Sequence, residues 1–323
     1  MIVGQDRAVD QFSSAWRRGA LHHAWLLAGP RGVGKATFAR EAATRVLAEA
    51  AGPAVDLPRL GTPEDHRIAK LVEAGSHPDL RWRERLENEK TGNLARNITV
   101  DQVRSLGDLF DLTPALSPWR VVVIDSIDDL EKSAANALLK MLEEPPANCL
   151  FLLVSHAPGR LLPTIRSRCR RLDFQSLDDK AMTSILDTSL RDLQDSARRK
   201  AIEGSGGSAG RAMALAAFDL VSLEETALQI LRQGDPTNAR RSGLASELGK
   251  RGAGDRYAAF LDMLPSVIAR EARGLSGAPR QRAVDAYART RELVAIAPRL
   301  SLDPASTVFQ LGGILASVAD PLP

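Results

Sequence analysis

Cysteine is nearly absent: Cys149 and Cys169 are the only two in 323 residues, and they form no CxxC pair. That excludes a disulfide framework and a cysteine-based zinc site, and leaves both thiols as small apolar side chains rather than nucleophiles. Aromatic residues are scarce at 4%, and Trp16, Trp25, Trp82 and Trp119 lie scattered, so no base-stacking array is in prospect. Excess charge of one sign is also lacking. Lys and Arg total 43 against 40 Asp and Glu, a net charge of +3 that cannot bind nucleic acid by bulk electrostatics. No apolar run approaches the roughly 20 residues needed to cross a bilayer, so no membrane partner is expected. Met1-Ile2-Val3-Gly4-Gln5-Asp6 has none of the features of a secretory leader. The expected compartment is the cytoplasm.

What is present has the balance of an ordinary globular protein, with 44% hydrophobic and 26% charged residues and length for two or three domains. Ala24–Ala28, Val121–Asp125 and Leu150–Val154 are apolar runs of strand length, separated by segments of helical spacing. That alternation predicts an α/β domain, a parallel sheet with helices on both faces. Ala135, Leu138, Leu139 and Leu142 fall on one helical face, which Pro145-Pro146 terminates. The polar, proline-rich stretch 52–97 reads as an insertion with some helix and one short strand. His66 and His77 within it are expected to be solvated loop residues, since two histidines without cysteines make a poor zinc site. Beyond Phe174 only helical patterns remain, broken at Gly204–Ser208, Gly234–Pro236, Gly252–Gly254 and Gly274–Pro279. The expected domains are 1–174, a small helical domain over 175–218, and an all-helical C-terminal domain over 219–323. Leu223, Ala227, Ile230 and Leu231, with Phe260, Met263 and Leu264, form apolar stripes read either as partner faces or as that domain's own core.

Gly29-Pro30-Arg31-Gly32-Val33-Gly34-Lys35 lies between the first strand and a helix, the setting of a phosphate-binding loop. Gly29, Gly32 and Gly34 let backbone N–H groups surround phosphate oxygens, and Lys35 adds a full positive charge. The hydroxyl that would coordinate Mg²⁺ should come next, but residue 36 is alanine. Thr37 follows one position late, about 100° around the helix. Asp125 ends the second run as a metal-binding carboxylate would, or as the cap of a local turn, but Ser126 stands where a water-orienting glutamate is needed. Asp128 and Asp129 read as a solvated helix start. Any nucleotide should bind weakly or not at all, with Mg²⁺ only alongside it. Hydrolysis is not expected.

Ser133 through Pro146, ending Leu142-Glu143-Glu144-Pro145-Pro146, resembles the signature helix of bacterial clamp-loader proteins of the AAA+ type. Ser167-Arg168-Cys169 is similar to the SRC motif of that family, Val3-Gly4-Gln5 to its adenine-side box, and Ile98–Arg104 to the segment before its next helix. Gly75–Leu80 and Asn88–Gly92 also look like one branch of it. The resemblance covers residues 2 to about 174. It implies a P-loop NTPase domain, a helical lid and a helical collar that joins a heteropentamer. The implied partners are motor subunits, a clamp-opening subunit, the sliding clamp, and primer–template DNA through the complex. The motor members carry an intact phosphate loop, an acidic pair and a four-cysteine zinc module. This chain lacks all three and is more similar to a passive, stator-like member with a decayed site. A divergent motor ATPase, and a different AAA+ remodeller such as a branch-migration motor, are the rival readings.

By the same resemblance Arg168 is a trans-acting arginine finger that enters a neighbour's ATP site, against a local ion pair as the plain alternative. Ser155 takes the polar sensor position between the acidic motif and the phosphate, or is a strand-end hydroxyl. Arg211 takes the second sensor position on the lid, or forms a salt bridge.

Overall fold

The computed structural model describes residues 2–87, 95–191, 193–218, 220–298, 300 and 302–319. The expected Asn88–Gly92 element lies outside them. The chain divides into two compact units, Met1–Ile185 and Leu186–Pro323.

The first unit runs α1 (Asp6–Arg17), β1 (Ala24–Ala28), α2 (Lys35–Ala51), α3 (Arg67–Glu73), β2 (Leu80–Glu84), α4 (Val100–Arg104), α5 (Gly107–Asp111), β3 (Arg120–Asp125), α6 (Lys132–Glu143), β4 (Cys149–Ser155), α7 (Pro163–Ser167) and β5 (Arg170–Asp173), with α8 (Asp179–Ser189) crossing into the second. All strand pairs are parallel and the order is β2-β3-β4-β1-β5. Every residue of β1 and β4 is buried, as runs without alternating polarity require when both faces are covered. Trp25, Leu27, Val121, Val123, Leu152 and Leu172 face one core with Phe12 of α1, Phe38 and Val46 of α2, and Ile68 of α3. Leu26, Val122, Ile124, Phe151 and Leu153 face the other, with Val103 of α4, Leu138 and Leu142 of α6, and Ile165 of α7. Burying each such side chain contributes about 1.5–3 kcal/mol.

The edge strands carry charge. In β5 only Leu172 is buried, while Arg170 lies over the Trp25 ring and Arg171 pairs with Asp173. Charged edges discourage further strand pairing.

His77 is buried and His66 is half-buried, and neither ring is a free loop side chain. His66 caps α3, its Nδ1 accepting from the Ile68 N–H, and His77 is 3% exposed with its Nδ1 accepting from the Asp79 N–H. Burial lowers the His77 pKa. Both rings satisfy local backbone, and no cluster of potential metal ligands occurs among the described residues. The buried Asp79 carboxylate accepts from the N–H groups of Ala115, Leu116 and Ser117 at 2.7, 2.8 and 3.0 Å, fixing the approach to β3.

The second unit contains α9 (Asp195–Ser205), α10 (Ala209–Ala217), α11 (Leu220–Gln233), α12 (Ala239–Leu248), α13 (Gly254–Gly274), α14 (Gly277–Ile296) and α15 (Pro304–Ala316). Helix α11 packs against α10, α12, α13 and α15. Leu223, Ala227, Ile230, Leu231, Phe260, Met263 and Leu264 are all buried, so these stripes are the unit's own core and not partner faces. The segment expected as a separate lid, 175–218, is shared: α8 straddles the division at residue 185, while α9 and α10 pack on α11 and α10 on α13. No described helix is long and apolar enough to cross a membrane.

Asp79→Ala removes the acceptor of three amides, that of Ser117 buried and those of Ala115 and Leu116 part-buried, and should lower unfolding free energy by about 2 kcal/mol. Denaturant titration of the full chain checks this, and an unchanged midpoint would contradict it.

Candidate functional site

The parallel sheet brings the carboxyl ends of β1, β3 and β4 to one edge, where ligands of open α/β sheets bind. The phosphate loop leaves β1 pinned on both sides. The Gly29 N–H donates to the Ser155 carbonyl at 3.3 Å, and the Ala28 carbonyl accepts from the Phe174 N–H at 2.8 Å. A side chain at position 29 would start 2.3 Å from the Phe174 carbonyl oxygen, so only glycine fits. Gly32 and Gly34 take φ of 75° and 96°, the left-handed region that glycine enters without strain. Gly34 then serves as N-cap of α2 with no side-chain hydrogen bond, leaving the first-turn amides of α2 uncapped by any side chain.

Gln5, from the segment resembling an adenine-side box, braces the loop. Its Nε2 donates to the Val33 and Gln175 carbonyls at 3.1 and 2.8 Å.

Lys35 is 3% exposed and folds back to donate to the carbonyls of Gly29 (2.7 Å) and Pro30. Burial pushes its pKa from 10.5 down to about 8, although the charges of Asp125 and Asp128 act in the opposite direction. Asp125 shifts upward, first through burial and then through Glu84, its register partner on β2. Ala36 supplies no oxygen, and Thr37 is exposed on the first turn of α2.

Asp128 is not a solvated helix start. It sits in a 3₁₀ turn, Ile127–Asp129, and its carboxylate holds the end of β4. It accepts from Ser155 Oγ at 2.9 Å, the His156 N–H at 2.5 Å and the Ala157 N–H at 3.3 Å. Asp129 likewise has partners, Ser126 Oγ at 3.2 Å and Arg85 at 3.4 Å. These oxygens are committed to the fold and are poorly placed to activate water. Ser155 is fully buried, with its hydroxyl donated to Asp128. His156, which no sequence pattern marks, also lies here; its pKa is pushed down to about 4 by burial and then by Lys35 and Arg31, and its Nδ1 has no hydrogen-bond partner.

Gly29, Gly32, Gly34, Lys35, Asp125 and Ser155 therefore converge at one edge of the sheet. Arg168 does not join them. It caps α7, two residues before β5, whose Arg170 pairs with Trp25 near the amino end of β1. Five residues of parallel strand span about 13 Å between first and last Cα, so Arg168 lies at the opposite edge from its own phosphate loop. There it pairs with Glu143 at 2.7 Å and donates to the Thr164 carbonyl at 2.9 Å. Arg211 belongs to the second unit, where its guanidinium donates to the Met263 carbonyl at 3.3 Å. Both cysteines have pKa values raised to about 12 by burial and are unreactive as nucleophiles.

The folded chain holds Lys35 charged at neutral pH against its burial. Because the folded pKa lies below the unfolded one, that cost is fully present below about pH 8 and is relieved as pH rises towards 10.5. Lys35→Met should raise unfolding free energy at pH 7 by ~1–3 kcal/mol, after allowing for the two hydrogen bonds lost. It should also flatten the stability gain between those pH values. Urea titrations across that range check it, and a variant less stable than wild type at pH 7 would contradict it.

A family model described as DNA polymerase III, delta subunit, matches residues 4–178. A DNA polymerase III subunit delta' of Pseudomonas aeruginosa is 41% identical over 147 residues, covering 46% of this chain and 41% of that protein. A subunit tau of Bacillus subtilis is 34% identical over 181 residues, covering 56% of this chain and 30% of that one. The chain thus spans less than half the length of either relative. Among solved structures, a gamma subunit-related protein of Thermotoga maritima aligns over 95% of this chain and 99% of its own at 17% identity, with a TM-score of 0.44. With more than half its length matched, the chain belongs to the DNA polymerase III delta-subunit family, and to its delta-prime type.

Proposed function

We propose that this chain is a stator-like subunit of a clamp loader, one that completes a neighbour's ATP site while its own is degenerate. The observation that carries the reading is the position of Arg168 at the amino edge of the sheet, out of reach of its own phosphate loop. An arginine there serves either the local fold or a second subunit. An arginine supplied in trans stabilises charge developing on a transferring phosphoryl group, worth roughly 10³–10⁵ in rate in GTPases. A motor role for this chain finds no support in Ala36, Ser126 or the committed oxygens of Asp128.

Lys35 and the loop glycines would hold phosphates, and Asp125 would be the one acid left for a metal that arrives with nucleotide. A bound nucleotide would supply only its own charge and shape, because none of the described residues at the loop is placed to cleave it. The proposed partners are the motor subunits and the clamp-opening subunit in a heteropentamer, the sliding clamp and, through the complex, primer–template DNA, in a cytoplasmic setting. The second unit would provide the collar. With its apolar stripes spent on its own core, the contact would use surface residues such as Val284 and Leu300, which are 47% and 64% exposed.

In a complex reconstituted from the full chain and the motor subunits, Arg168→Ala should assemble normally on size exclusion and lower ATP turnover. A variant complex that assembles and turns over at the wild-type rate would end the trans assignment.

A further inference from the structure

Helix α6 ends on two carboxylates, Glu143 and its C-cap Glu144, before Pro145-Pro146 stops it. Acidic side chains in a last turn face the negative end of the helix dipole, so the pair is locally unfavourable and needs another reason to be there. Glu143 has a partner: its Oε1 lies 2.7 Å from one terminal nitrogen of Arg168, whose other terminal nitrogen donates to the Thr164 carbonyl at 2.9 Å.

The backbone under both residues is fixed. Leu142 and Ile165 are 1% and 2% exposed in the same core. The Arg168 N–H donates to the Ile165 carbonyl at 3.2 Å, and from Arg170 the chain is paired to β1. The two side chains nevertheless stay open, 33% exposed for Arg168 and 48% for Glu143. A guanidinium has five N–H donors. The described contacts use two of them, leaving donors for an anion from outside the chain.

We propose that Glu143 is the positioning residue for Arg168, holding its guanidinium in the orientation from which the remaining donors meet a neighbour's γ-phosphate. The inference rests on the trans role of Arg168 proposed above. A long arginine side chain loses rotational freedom when it binds, and two contacts made beforehand remove much of that cost from the reacting complex. An exposed ion pair contributes little to fold stability, so losing Glu143 should disturb orientation and not folding.

The test compares wild type, Glu143→Ala, Arg168→Ala and the double variant in the reconstituted complex, measuring assembly and turnover as a function of ATP concentration. Glu143→Ala should assemble normally, keep KM, and lose at least half of the maximal turnover that Arg168→Ala loses. The double variant should be no slower than Arg168→Ala alone. Wild-type turnover in Glu143→Ala beside a slow Arg168→Ala would overturn the positioning role while sparing the trans role. Faster turnover would make the pair a latch and also overturn it, as would additive losses in the double variant. Wild-type turnover in Arg168→Ala would remove the trans role and this inference with it.

Discussion

Strand β1 has hydrogen-bonded neighbours on both sides and an apolar core on each face. Its five buried residues tolerate no polar side chain, and its end must coincide with the ends of β3 and β4. Everything at the phosphate loop follows from that registration. Ala28 aligns with Ser155, Gly29 bonds to the Ser155 carbonyl, and the Phe174 carbonyl passes too close for any residue but glycine at position 29. The loop geometry is thus a by-product of sheet packing and persists whether or not nucleotide chemistry does.

That separation of shape from chemistry explains the state of the site. The loop glycines fit the backbone that the sheet imposes, while burial lowers the Lys35 pKa to about 8 and raises that of Asp125. The positions that would support hydrolysis hold other residues or are engaged in the fold. Ala36 removes the metal's hydroxyl ligand. Ser126 is 2% exposed and bonded to Asp129, and Asp128 ties down the end of β4. Arg168, the arginine proposed to act in trans, lies at the other edge of the same sheet.

Much of this was legible in the sequence because it is local. The runs at β1, β3 and β4, the glycine spacing and the missing hydroxyl after Lys35 each occupy a few consecutive residues. Strand β5 was not legible, since an edge strand needs only one buried residue, Leu172, and the rest of it is charged. The tie between Asp128 and Ser155 joins residues 27 apart, with no local pattern to announce it. His77 looked like a loop histidine among glycine and proline, yet the Asp79 network draws that turn inward. In the second unit, helical spacing identified the apolar faces correctly. It could not say what covers them, and the neighbouring helices do so.

On the proposed function, the site keeps the shape of a phosphate loop without the means to cleave phosphate. Single-turnover incubation of the purified full chain in excess over radiolabelled ATP and Mg²⁺ tests it most directly, with Lys35→Ala as the control. No ADP should form above that control. Steady ADP formation that requires Mg²⁺ and disappears in Lys35→Ala would contradict it.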